Sequence, residues 1–312
     1  MITEAGWPEL PLAAWQESYT TLHLWTQIVG KVRTALSPLV NHWWNSALYV
    51  SARGLTTSPI PWKGGSFEAE FDFIDHQLAL RGSDGARQYL PLYPHTVADF
   101  HREFFAVLQT WGIEVVIAEG PSEMADPIPF AEDKIHAAYD PEYVQRFHRV
   151  LVSCDAVFEE FRARFIGKAS PVHFFWGSFD LAATRFCGRR APERPGADAI
   201  TREAYSHECS SAGFWPGGSG IDAAFYAYTV PAPEGYAKQK IRPAEAFFHQ
   251  GLGEFILMYD VVRRAASPRA MLLDFLQSSY EAGANLAGWD RKELEREPGA
   301  EWPEAAEVRR TA

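Results

Sequence analysis

The sequence states one phrase nearly twice, and any fold must accommodate both copies. The first runs Ser37-Pro38-Leu39-Val40-Asn41-His42-Trp43-Trp44-Asn45-Ser46 and continues to Arg53-Gly54. The second runs Ser170-Pro171-Val172-His173-Phe174-Phe175-Trp176-Gly177-Ser178 and continues to Arg185. Each follows a long amphipathic segment, sets a His before an aromatic block, and then reads as a strand ending on an Arg. Proline lacks the N–H that a helix interior needs, so each Ser-Pro pair closes what precedes it. Positions 45–53 align without a gap onto 177–185, pairing Ser46 with Ser178 and Arg53 with Arg185. Aligning Ser37-Pro38 and His42 as well takes insertions. One added residue would turn His173 to the other sheet face relative to Arg185 unless a β-bulge absorbs it.

Around the first copy, Leu12, Trp15, Tyr19, Leu22, Val29 and Val32 recur at helical spacing and predict a helix with one buried face. His23 and Gln27, four apart on one flank, either cap neighbouring elements or face a ligand together. Beyond Pro38 the β-formers of 42–55 predict a strand. Phe67, Ala69, Phe71 and Phe73 then alternate with Glu68, Glu70 and Asp72, and 78–81 and 89–93 flank a hairpin signal at Asp84-Gly85. The three carboxylates read as a solvated sheet face, with a hard-cation site as the alternative. Thr96 is placed to cap a helix that Gly112 ends, and 115–117 reads as a short strand.

The second copy has the same order. Asp140-Pro141 opens a helix carrying Phe147, Val150, Leu151, Cys154, Phe158, Phe161 and Phe165. After the His173 strand come a polar loop at 189–195 and a reactive stretch at 206–218. Strands at 224–230 and 255–259 and a helix from Ser267-Pro268 follow. The expected class is α+β: two pseudo-repeated helix/antiparallel-sheet/helix units packed as one globular body. Residues 1–120 form the first half, 121–140 a proline-rich linker, 141–289 the second half and 290–312 a charged tail. A groove between the halves is the default binding site.

Composition narrows the function classes. A net charge of −11 opposes non-specific nucleic-acid binding. No apolar run spans a bilayer and no signal peptide is visible, so the expected location is cytoplasmic, without a membrane partner. Cys154, Cys187 and Cys209 are odd in number and lack C-x-x-C spacing, which argues against a disulfide framework. Eleven Trp among 14% aromatic residues predict an interior threaded with polar groups that satisfy ring N–H and O–H donors.

Chemistry concentrates in Ser206-His207-Glu208-Cys209-Ser210-Ser211, where function would be expected if the stretch is a loop. His207 is the candidate acid or base, because its reference pKa lies near neutrality, and Glu208 would orient it. Position 211 is Ser, so H-E-x-x-H fails as a zinc motif. A metal assembled across the fold would draw on His207, Glu208, His173 and Asp180, but none is assigned and no cofactor is named. Arg185 would hold an anion, Trp176 and Trp215 would form walls, and His173, Asp180, Ser210 and Ser211 complete the binding set.

The stretches 7–15, Leu22-His23-Leu24-Trp25-Thr26-Gln27, 41–61, 71–76, 170–185 and 204–218 together resemble a bacterial family catalogued as domain of unknown function 5996, over nearly the whole chain to Trp289. The resemblance implies one unit rather than independent domains; it brings no activity, cofactor or catalytic residue. The residues themselves point to an enzyme acting on a small polar or anionic molecule. A non-catalytic small-molecule or peptide binding module, or an oligomeric scaffold, fits them as well.

Overall fold

A computed structural model describes residues 6–124, 126–218 and 220–296. Its first helix, α1 (Leu12–Leu36), is buried at every position from 21 to 30, so it runs through the molecule rather than along its surface. The rings that cover it come from both halves. Trp25 stacks on Phe100 at 5.0 Å between centroids, Trp15 meets Phe147 at 5.3 Å, and Tyr19 meets Phe179 edge-on at 5.1 Å. Gln27 clamps the backbone of Ser122, accepting from its N–H at 2.7 Å and donating to its carbonyl at 3.0 Å, while His23 Nε2 bonds the Gly177 carbonyl at 2.9 Å. These two side chains therefore cap neighbouring loops.

The first phrase is not one strand. A 3₁₀ turn, Asn41–Trp43, precedes two short strands, β1 (Tyr49–Val50) and β2 (Gly54–Thr56). These join β3 (Ile60–Trp62), β4 (Gly65–Asp72), β5 (Gln77–Gly82) and β6 (Arg87–Pro91) in an antiparallel sheet ordered β1-β2-β4-β5-β6, with β3 also paired to β4. The acidic residues of β4 are matched by arginine instead of solvated: Asp72 pairs with Arg53 at 2.6 Å, and Glu70 and Glu68 pair with Arg81 at 2.7 and 3.2 Å. Next comes α2 (Val97–Thr110), whose Asp99 N–H donates to the Thr96 hydroxyl at 3.0 Å, the expected cap. The stretch 115–117 pairs with no strand and belongs to an irregular connection.

The second half opens with α3 (Pro141–Ala163), capped by Asp140. Its strands are β7 (His173–Phe175), β8 (Asp180–Arg190), β9 (His207–Gly218), β10 (Ile221–Val230), β11 (Phe247–His249) and β12 (Glu254–Met258), with a short α4 (Ala199–Ala204) before β9. They form a second antiparallel sheet ordered β11-β12-β10-β9-β8-β7. The stretch expected as a reactive loop is thus mostly a twelve-residue strand, β9. Its breakers have specific uses. Gly213 lets Tyr226 from β10 lie against the backbone, where a Cβ would collide with the ring, and Gly217 and Gly218, at φ 109 and 150, shape the hairpin into β10.

Tyr259 begins a helix, α5 (Tyr259–Arg263), so the preceding strand ends at Met258. Then α6 (Pro268–Leu286) and α7 (Arg291–Leu294) follow. The α7 turn is docked: Leu294 O accepts from Ile166 N–H at 2.8 Å and Tyr280 donates to Glu295 at 2.9 Å. The expected tail from 297 onward lies outside the described residues. One apolar core contains side chains from Trp7 to Trp289 and draws on both sheets. All three cysteines are free thiols, and among the described residues no helix is long and apolar enough to cross a membrane.

Candidate functional site

The two sheets meet edge to edge where the two phrases lie. Leu48 and Phe174 exchange both backbone hydrogen bonds, each 2.8 Å, in an antiparallel bridge between the edge of the first sheet and β7. That register sets Tyr49 opposite His173 on one face, with ring centroids 5.5 Å apart. Upstream, the chain from Ser37 to Asn45 curls over this seam. It passes through consecutive left-handed residues, His42 at φ 61 and Trp43 at φ 60, a costly conformation for side chains of this size. His42 is held by Nδ1, which donates toward the Glu203 and Ala204 carbonyls at 3.1 and 3.0 Å. Its Nε2 is left to accept from Lys168 Nζ at 2.7 Å. Asn45 Oδ1 accepts from Val40 N–H at 3.2 Å and closes the curl.

The result is a recess of about 350 Å³ on the seam. Arg33 from the last turn of α1, Ser37, Asn45, Tyr49 and His173 supply its polar wall; Pro38, Trp44, Pro59, Pro61 and Pro171 supply much of its apolar wall. Arg33 is only 7% exposed, donates through one Nη to the Thr57 carbonyl, and has no hydrogen-bond partner at Nε. No carboxylate pairs with it among the described residues, although Arg53, Arg81 and Arg189 are all paired. Burial pulls its pKa downward, and nearby Tyr49 partly opposes that shift. His173 is 1% exposed; its Nε2 lies 3.5 Å from the Tyr49 hydroxyl and its Nδ1 has no partner. A buried cation in the wall of an opening, without a carboxylate partner, is costly without a ligand.

Burial, reinforced by Arg162 and Arg33, drives the His173 pKa from 6.5 down to about 3. Between those values the native protein keeps the ring neutral while the unfolded chain binds a proton. Stability present above pH 6.5 is therefore lost as pH falls toward about 3. Glu254, raised to about 7, and Asp155, raised to about 6, both chiefly by burial, act in the opposite sense. A comparison with His173→Gln isolates the imidazole. The variant is expected to gain on the wild type by about 1.4 kcal/mol per pH unit below 6.5. Parallel urea-derived stability curves across this range would contradict that assignment.

The other residues singled out in the sequence disperse. Alternation along β9 sends His207 and Ser211 to one sheet face and Glu208 and Ser210 to the other. Glu208 accepts from Arg189 at 2.6 Å and from Trp289 Nε1 at 3.1 Å, so it orients those groups and not His207. His207 bonds its neighbour Ser206 at 3.0 Å, and its pKa is lowered first by desolvation, then by Lys168 and Arg190. Ser211 bonds Thr184 at 2.9 Å. Asp180 accepts from Ser178 and Tyr226, and its burial pushes its pKa up. Trp215 lies against Gly218. Trp176 donates to the Ser46 carbonyl at 2.8 Å and fills the space over Gly30 of α1, which makes it seam packing.

Arg185 faces the helices. Its guanidinium carbon lies 3.5, 4.3 and 5.0 Å from the ring centroids of Phe161, Tyr280 and Phe165, and burial lowers its pKa to about 9. It is sealed in the core, 1% exposed, where no anion from solvent reaches it. Arg53, its aligned counterpart, instead sits half exposed in ion pairs with Asp72 and Asp75 at 2.6 Å. Equal sequence positions thus carry unequal environments.

Of the sequence candidates only His173 lines the recess. Arg33, Trp44, Asn45 and Tyr49 were not among them. A signal for Arg33 existed: it falls four residues after Val29 and eleven after Leu22, on the apolar stripe, where a cation demands a partner. Nothing in the local sequence announces that Tyr49 and His173 face each other, since that follows from pairing between distant edges.

Fold and recess together define an α+β protein of two antiparallel sheets joined at their edges, with a ligand-sized opening at the join. The chain belongs to the Family of unknown function (DUF5996), whose model matches residues 7–296. No match was found among curated proteins or among solved structures.

Proposed function

We propose that this protein binds a small anionic molecule in the recess at the seam of its two sheets. One observation carries the reading: Arg33 stands in the recess wall, buried, with no carboxylate partner among the described residues. A buried guanidinium is tolerated when something neutralises and hydrogen-bonds it, and an oxyanion entering the recess would do both. In this reading the site is a groove between the halves, and Arg33 rather than Arg185 holds the anion. His207 and Glu208 lie outside this recess and on opposite sheet faces, so the reading rests on binding and not on an acid–base pair. His173, neutral at physiological pH, contributes no charge to the wall.

Crystals soaked in bromide test it. An anomalous peak beside the Arg33 guanidinium is the expected result; bromide found only at surface sites elsewhere would contradict the proposal.

A further inference from the structure

We propose that the natural occupant of the recess is a flat, largely apolar monocarboxylate, with its carboxylate toward Arg33 and its body against the aromatic and proline walls. This rests on the anion-binding reading above and narrows it to one chemical class.

Charge counting comes first. Arg33 is the one ionised side chain in the recess wall, because His173 is held neutral by its burial. One buried positive charge in the wall balances a monoanion, whereas a phosphate dianion would need a second cation, and the nearby ones are already engaged, Arg162 with Glu159 and Lys168 with His42. The Arg33 guanidinium lines the recess without a carboxylate partner among the described residues, and its planar fork matches a carboxylate.

The walls decide the rest of the molecule. Trp44 and Tyr49 line the recess with aromatic rings, and Pro38, Pro59, Pro61 and Pro171 add apolar rings with no N–H to donate. Val40 lines the recess and is 42% exposed, so the apolar wall continues outward. Such a lining favours a ligand body without hydroxyls, since each hydroxyl would lose its water and find few partners. At about 350 Å³ the space sits at the small end of ligand clefts, room for a ring and a carboxylate arm.

The test is a calorimetric titration of the intact protein with sodium benzoate, acetate, inorganic phosphate and benzyl alcohol at equal ionic strength. Benzoate sites are located in soaked crystals. Benzoate bound in the recess at least about tenfold more tightly than each of the other three is the expected result, because the ring buries against the apolar wall while the carboxylate meets Arg33. Acetate binding in the recess as tightly as benzoate would overturn the flat apolar body, phosphate doing so would overturn the monocarboxylate, and either would leave the anion reading standing. Benzyl alcohol matching benzoate, or no probe entering the recess, would overturn both.

Discussion

Gly54→Ala is expected to destabilise the protein by about 3 kcal/mol or more, with a fall in Tm of roughly 6–9 °C. Gly54 begins β2, and a Cβ there would overlap the carbonyl oxygen of Phe71 on β4 and lie 3.1 Å from the Phe73 ring. The obstacle is backbone, which cannot swing aside as a side chain can. The turn offers no slack either. Ser51 Oγ accepts from the N–H groups of Arg53 and Gly54 at 3.2 and 3.0 Å while donating to Glu70 at 2.6 Å, and Phe73 N–H donates to the Arg53 carbonyl at 2.8 Å. Relief must therefore come from parting β2 and β4. Because β1 pairs only with β2 and the Leu48 bridge, the displacement should reach Tyr49 and weaken ligand binding too. Gly120, with a negative φ and no atom closer than 3.9 Å to a built Cβ, supplies the control. Equal thermal losses for Gly54→Ala and Gly120→Ala would contradict this account of the seam.

Much of the architecture follows from local chemistry. The caps at Thr96, Asp140 and Ser267 start helices where their side chains reach a backbone N–H two or three residues on, and the alternation from Phe67 to Asp72 is the strand β4. Local reasoning fails where tertiary contacts set the conformation. In 206–218 glycine reads as a breaker, yet Gly213 is there because the Tyr226 side chain crosses it within a sheet. In 42–46 the aromatic residues read as strand, yet His42 is drawn into a left-handed turn by the Glu203 and Ala204 carbonyls, about 160 residues away. The site suffers most. Its cation lies on α1, its imidazole on β7 and its phenol on β1, and contacts between distant segments, the Leu48–Phe174 bridge and the Arg33–Thr57 hydrogen bond among them, bring them together. The first phrase proves to be the rim and wall of the recess, and the second supplies His173 and Pro171.

Arg33→Met is expected to lower the affinity for the best-binding small anion by about a hundredfold, or ~3 kcal/mol, with the fold retained. Methionine replaces the length and apolar stem of arginine, so the end of α1 keeps its packing. The Thr57 carbonyl loses a donor, which costs about 1 kcal/mol, but removal of a buried unpaired cation offsets that cost. Net stability should change little, so binding and folding separate cleanly. Arg33→Lys keeps the charge without the fork and should fall between the wild type and Arg33→Met. The decisive measurement is a titration of acetate, benzoate and phosphate into the wild type and Arg33→Met, with near-ultraviolet circular dichroism confirming the same tertiary packing. The account predicts saturable binding of at least one anion by the wild type and about a hundredfold loss in the variant. Unchanged anion affinity in a natively folded Arg33→Met protein would contradict it.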